Sequence, residues 1–189
     1  KESAMLSQCS KNQIVMPCAL TQGFPVYDCS APAGGLVRVL LLPYTELVSV
    51  TQASYLISAI TDTGSPSTWY AYNLQEETGL LESTENKNVQ NNSLFYDVNL
   101  SFTLNKMESA KSAELHLLAI QRLCAIVETV EGNYFFIGDE RGCHKTGTNT
   151  SSSGTAFGDA NQYSINLLAK SSHDCYQVDA AVIAGLTIA

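Results

Sequence analysis

Apolar and polar residues alternate from Leu94 to Leu104, with Phe95 alone out of step. Leu94, Tyr96, Val98, Leu100, Phe102 and Leu104 fall on one side of the chain, and Asp97, Asn99, Ser101 and Thr103 on the other. A period of two over that length predicts a half-buried strand. The period then changes. Ala110, Ala113, Leu117, Ile120 and Cys124 recur at helical spacing, and Asn105 with Glu108 resembles an N-cap and its reciprocal carboxylate. A covering helix is therefore expected around residues 106–123, with Leu117 on its packed face. Beyond it, the apolar runs Ala125 to Val130 and Tyr134 to Gly138 flank Glu131-Gly132-Asn133 and predict a hairpin.

The remaining chain is read from the same signals. Leu36 to Leu42 is continuously apolar except for Arg38 and stops at Pro43, which suits a strand buried on both faces. Tyr55 to Ile60, Trp69 to Leu74, Gly79 to Ser83, the alternating run Tyr163 to Leu167 and the short Cys175 to Val178 are further strands. The Asn-rich stretch Glu85 to Asn92 predicts a projecting loop or hairpin tip, and the small polar residues from Gly142 to Gly154 predict a surface loop. Eight to ten strands against one helix define a mainly β fold, a sandwich or barrel. Residues 1–34, with Pro17, Gly23, Pro25, Pro32 and Gly34 and no sustained period, read as an extended arm, 35–180 as one domain, and 181–189 as an apolar tail that is not expected to stand bare in water.

Composition changes the picture in three ways. At 189 residues the chain is long enough to bury roughly 70% of its unfolded surface, so its core does not depend on cross-links. The six cysteines, Cys9, Cys18, Cys29, Cys124, Cys143 and Cys175, are accordingly expected to be free thiols in a reducing compartment, there being no leader-like stretch. Charged residues make up only 15%, a surface suited to being covered by another subunit. The longest apolar runs are about half of what a bilayer needs, so no membrane partner is expected.

The net charge of −8 is uneven: residues 39–105 hold seven acids and one base, Lys87, for −6. That balance excludes wrapping nucleic acid through phosphate contacts, which needs clustered lysine and arginine.

Candidate chemistry is sparse. Cys143-His144 and His173-Asp174-Cys175 each join a thiol to an imidazole, but no zinc-type spacing connects them, and they are expected to be exposed loop residues with no metal or other cofactor. His116 is a helical histidine, packed or solvated. Glu76 and Glu77 are adjacent, and adjacent strand positions point to opposite faces, so they do not share a proton. Neither a nucleophile elbow nor a phosphate loop is present: Gly154 to Asp159 lacks the strand before and the helix after that a phosphate cradle needs. The pattern argues against an enzyme. Trp69, Tyr70 and Tyr72 offer a stacking platform for a carbohydrate- or surface-binding β-module, with core packing the favoured alternative.

Several spaced motifs occur in a familiar order. They are Cys18-Ala-Leu-Thr-Gln-Gly23 with Cys29, Gly34-Gly-Leu-Val-Arg-Val-Leu-Leu41, Asn99-Leu-Ser-Phe-Thr-Leu-Asn-Lys-Met107, Glu114-Leu115, Cys124-Ala-Ile-Val-Glu128, Gly132-Asn-Tyr-Phe-Phe-Ile-Gly-Asp-Glu-Arg-Gly142 and Gly154-Thr-Ala-Phe-Gly-Asp-Ala-Asn-Gln-Tyr163. Over residues 18–180 the chain resembles virion structural proteins of tailed phages of Bacteroidetes, the crAss-like phages among them, which are similar to tail-tube proteins. Gln162 stands where that family commonly has glycine, and Thr61 to Glu85 matches its pattern poorly.

The resemblance implies a tail-tube-like β fold that self-assembles into a ring of six or twelve copies in the virion tail or neck, the head-to-tail connector. It implies assembly in the bacterial host cytoplasm, other tail or neck proteins as partners, and transient contact with phage DNA in the channel. Glu76, Glu77, Glu82, Glu85 and Asp97 are then the channel-lining candidates, since lumenal carboxylates hold phosphate off the wall.

Overall fold

The computed structural model describes Gly23, residues 33–63 and residues 68–189. The chain divides into two units, 1–31 and 32–189, and the architecture below belongs to the second. The expected arm at 1–34 lies almost wholly outside the described residues, as do Cys9, Cys18 and Cys29.

Two strands organise the unit. β1 (Leu36–Pro43) and β7 (Leu123–Thr129) run antiparallel with Val39 opposite Val127, Leu40 opposite Ile126, Leu41 opposite Ala125 and Leu42 opposite Cys124. Because side chains alternate across a strand, this ladder feeds two cores at once. Leu36, Val39, Leu41, Leu123, Ala125 and Val127 enter one cluster, while Leu40, Leu42, Cys124 and Ile126 enter another. The expected burial on both faces holds from Val39 to Leu42, whereas Val37 is exposed, and the interruption at Arg38 has a reason. Its guanidinium reaches Glu128 at the end of the ladder through Nε and Nη2, at 2.9 and 2.8 Å from Oε2, and Tyr134 donates to the other carboxylate oxygen at 3.2 Å.

Around this pair runs one large mixed sheet, ordered β2-β3-β12-β8-β7-β9-β11-β6-β5, with β1 beside β7, β4 beside β1 and β10 beside β11. The remaining strands are β2 (Leu47–Ala53), β3 (Leu56–Asp62), β4 (Tyr70–Asn73), β5 (Gly79–Asn88), β6 (Ser93–Asn105), β8 (Tyr134–Ile137), β9 (Cys143–Lys145), β10 (Thr150–Ser152), β11 (Gln162–Ser171) and β12 (Tyr176–Val178). All pairings are antiparallel except β12 with β3. The sheet is mainly responsible for the fold and is not closed, with β2 and β5 at its ends. It coils so that Val98, Leu100 and Phe102 of β6 and Tyr163, Ile165, Leu167 and Ala169 of β11 meet β1 and β7 in the first cluster. The predicted alternation of β6 is thus seen from Val98 to Phe102, whereas Leu94 is exposed.

The helix departs from expectation in start and in face. α1 spans Ser109–Ile120. Asn105 is the last residue of β6 and Lys106 turns the chain at φ +66°, so the expected Asn105 cap does not form. Glu108 occupies the cap position without a side-chain hydrogen bond and its carboxylate pairs instead with Lys106. The buried residues are Leu115 and Leu118; Leu117 is 48% exposed and Ile120 68%. Ser112 fixes this rotation through its Oγ, 2.6 Å from the Tyr163 hydroxyl of β11. Cys124 is not on the helix but in the buried β7.

Other strands exceed the expectation. β2 pairs with β3 through a turn whose Ser54 and Tyr55 both take positive φ, so Tyr55 turns the chain and does not begin the strand. β5 continues to Asn88, so the expected loop from Glu85 shrinks to residues 89–92, where Asn88 Oδ1 accepts from the amides of Gln90 and Asn91. The loop expected over 142–154 contains β9 and β10, held partly by Asn149, whose Oδ1 accepts from the amide of Asn166 at 2.8 Å.

A second, short helix, α2 (Ala180–Ala184), is capped by Asp179 and buries Ile183 in the second cluster. The chain then pairs with β4's approach: the Trp69 amide donates to Thr187, and those of Ala189 and Ala71 donate to Trp69 and Ala189. Trp69 itself is fully buried beside Phe136, and its Nε1 has no hydrogen-bond partner among the described residues. No described helix is long and apolar enough to cross a membrane.

The face of α1 is checked by two substitutions. Leu118→Ala should cost about 2–5 kcal/mol through the cavity it leaves, and Leu117→Ala less than about 1 kcal/mol. Urea titrations of both variants measure this, and a larger loss at Leu117 would contradict the observed rotation.

Candidate functional site

All five acids proposed from the sequence lie on the β4-to-β6 side of the sheet, but as a strip and not a cluster. Glu76 and Glu77 sit in the turn between β4 and β5, exposed, with Glu77 at φ +61°. They are turn residues, so the argument that adjacent strand positions face opposite ways does not apply to them. Eight residues of β-rise separate Glu77 from Glu85, roughly 25 Å.

Register assigns the faces. Glu82 stands opposite Asn99 and Thr84 opposite Asp97, which puts Glu82 and Asp97 on one face. Glu85 stands opposite Tyr96, on the face that carries Leu81, Val98 and Leu100 towards the first cluster. Asp97 is not free: Lys170 Nζ of β11 lies 2.7 Å from Oδ1, and Asn86 donates to Oδ2 at 3.0 Å. Glu85 accepts from the Tyr96 hydroxyl at 3.3 Å. The structure thus brings Glu82 and Asp97 together, gives Asp97 a counter-charge, and leaves Glu76, Glu77 and Glu82 as exposed acids.

A second polar constellation was not assembled by the sequence analysis. The β8–β9 turn is closed by Gly138 and Gly142 at φ +87° and +70°, and a Cβ at Gly138 would lie 2.9 Å from the Cys143 amide nitrogen. This tight turn holds out Asp139 and Glu140. His173, between β11 and β12, places Nε2 2.9 Å from Asp139 Oδ2 and 3.7 Å from Glu140 Oε1, with Nδ1 2.7 Å from the Asp174 carbonyl. Glu140 also accepts from the Ser172 amide and hydroxyl, and Tyr44 donates to the Glu140 carbonyl. The imidazole stacks on Tyr176 at 4.0 Å between centroids.

Both ring nitrogens of His173 face groups that only accept, so the doubly protonated ring fits best. Burial opposes the charge, but the bonds to Asp139 and to the Asp174 carbonyl, with Glu140 nearby, outweigh it and raise the pKa above the ordinary imidazole value. Ser172 bonds Glu140 and not His173, so these groups do not line up as nucleophile, base and orienting acid.

The metal-type pairs are not brought together either. His144 is exposed on β9, Cys143 and Cys175 face inward, and no three metal-ligating side chains gather among the described residues. Cys124, Cys143 and Cys175 are free. Burial pushes the thiols of Cys143 and Cys175 up to about 12 and that of Cys124 higher, the environment of inert packing thiols.

The aromatic platform is not built. Trp69 is buried, Tyr72 tilts against Phe102 at 6.3 Å, and Tyr70 alone of the three is exposed. Set against protein-family models, curated proteins and solved structures, the chain matches none of them.

A raised imidazole pKa has a defined consequence for stability. The His173 contribution is fully present below the unfolded value of about 6.5 and is lost as pH rises through the higher folded value. Melts of the parent and of His173→Gln should therefore differ most near pH 6, by on the order of 1–2 kcal/mol, and converge at alkaline pH. A difference independent of pH would mean that the ring is not charged in the fold.

Proposed function

We propose that the chain is a virion structural protein that assembles into a ring or tube in the tail or neck of a tailed bacteriophage, lining a passage for DNA. The open sheet is the observation that carries this reading. Its terminal strand β5 is ten residues long, free of proline, and bears one lysine, and the opposite terminal strand β2 exposes Val48 at 60%. Soluble monomers blunt such edges with short strands, proline or lysine, because an unpaired edge is a template for another chain. Neighbouring copies would supply the missing pairing, and the coiled sheet would complete a tail-tube-like barrel or sandwich wall.

The resemblance motifs support the same reading because they occupy structural positions. Asn99 to Met107 runs down β6 into the turn before α1, Cys124 to Glu128 is the centre of β7, and Gly132 to Gly142 is β8 with its glycine-closed turn. The acid strip along β5 and β6 supplies the wall property such a passage needs, since a repeated carboxylate repels phosphate from every copy of the ring. Exposed Glu76, Glu77 and Glu82 carry this role best, with Glu85 and the Lys170-paired Asp97 weaker contributors.

Native mass spectrometry and negative-stain images of the purified protein test the assembly. Closed rings or stacked tubes are expected, and a monomer at every concentration would overturn the reading. For the channel face, Glu76→Lys with Glu82→Lys should leave the fold stable, exposed charges contributing little, while giving assembled rings a DNA affinity that falls steeply with salt. Rings that carry both lysines and still ignore DNA would place the strip on the outside.

A further inference from the structure

The loop from Gly154 to Asn161 carries an aromatic side chain with nothing over it. Phe157 is fully exposed, yet the loop beneath it is tightly built. Asp159 Oδ2 accepts from the amides of Thr155 and Ala156, each at 2.7 Å, and the Asp159 amide donates back to Ala156 at 3.0 Å. Those two amides hold the Asp159 carboxyl below its ordinary pKa, so it is ionised. Gly154 turns at φ +72°, where a side chain would collide with Asp159. The far end of the loop is tied to the β6–α1 corner, with the amides of Lys106 and Met107 donating to the carbonyl and Oδ1 of Asn161. Phe157 is thus an apolar knob on an ordered mount, a form that loses little conformational freedom when it is buried.

The same corner also borders a hole. Between α1 and β4 lies an open cleft of about 510 Å³, floored by Ala71, Leu104, Ala110 and Leu115. Lys111 and Tyr72 also line it; Lys111 Nζ donates to the Asn105 carbonyl at 2.7 Å, and the Tyr72 hydroxyl is bonded to Glu114, which occupies the one carboxylate there. The knob loop leads into β11, whereas the cleft is lined by β4, the end of β6 and α1. The full exposure of Phe157 shows that it does not fill the cleft of its own chain.

We propose that Phe157 of one copy seats in the α1–β4 cleft of the next copy and forms a head-to-tail contact of the assembly. The proposal rests on the ring reading given above and names the contact that reading leaves open. The occupant is a second copy because knob and cleft lie on one chain, carry opposite charges, and the knob does not fill the cleft of its own chain. Such a knob and hole generate a heterologous interface, which closes as a ring or propagates as a tube. The charges agree: ionised Asp159 at the base of the knob and Lys111 lining the cleft are held in their own chain only by neutral backbone groups, and so complement one another. A buried aromatic anchor set in a pocket is the form that binding hot spots take.

The test uses the full-length chain, with reductant, in sedimentation and native mass spectrometry. Phe157→Ala removes the knob, and Ala110→Trp fills the cleft from an exposed helix position; Ala110→Arg serves as a second filler, and melts confirm that each variant is folded. Each is expected to need roughly thirtyfold more protein to assemble than the parent.

Mixing the two variants is the decisive arm. A knob-less copy keeps its cleft and a cleft-filled copy keeps its knob, so the mixture should yield dimers with one intact contact and no closed rings. If the parent forms rings and Phe157→Ala forms them equally well, the knob is overturned while the ring stands. Two assembly-defective variants that give no dimer on mixing also overturn it. A parent that stays monomeric removes the ring and this contact with it.

Discussion

The fold depends on one ladder that has no solvent side. β1 and β7 are joined residue by residue and packed above and below, so that every side chain from Val39 to Leu42 and from Leu123 to Val127 is removed from water. At about 25 cal/mol per Å² of apolar surface, burial this complete is a large contribution to stability. It also couples the two cores. A change of volume at Leu41 presses on β6, β11 and α1, while its neighbour Leu40 presses on Trp69, α2 and β12, since a close-packed interior transmits strain instead of absorbing it.

Much of this was legible in the sequence, for a physical reason. Doubly buried strands must be apolar at every position, and Val39 to Leu42 is; a half-buried strand must alternate, and Val98 to Phe102 does. The β7–β8 hairpin was marked by Gly132 at its turn. The helix was located but turned wrongly, because both of its faces carry leucine and isoleucine. What decides between Leu115/Leu118 and Leu117/Ile120 is the Ser112 bond to Tyr163, fifty-one positions away. β2 was missed because its turn uses Ser54 and Tyr55 in left-handed conformations with no glycine or asparagine to announce it. β9 and β10 were missed because their strength is borrowed from β11 and from the Asn149 side chain, not from their own small polar residues.

The polar features divide in the same way. Sequence counting found the acid excess of residues 39–105 but not its compensation, since Lys170 reaches Asp97 only once β11 is laid beside β6. The His173 constellation had no local signal at all: its carboxylates come from a turn thirty-odd residues earlier, and the two glycines that close that turn were visible while their purpose was not. Such cross-sheet bonds fix how neighbouring connections sit, and they do so without a metal-type ligand set among the described residues.

Trp69 is the chain's only tryptophan, and its place gives the protein a built-in optical reporter. The indole lies in the second cluster, sealed by Phe136 and by backbone bonds to Thr187 and Ala189, with its N–H facing no acceptor among the described residues. Its emission is therefore that of an indole in a dry, apolar surrounding, blue relative to water. Release of the last residues from β4 would wet it and shift the spectrum red while the first cluster stays intact. Association along β5, on the first-cluster side, leaves it silent. One wavelength then separates undocking of the chain end from assembly, in the same cuvette and without a label.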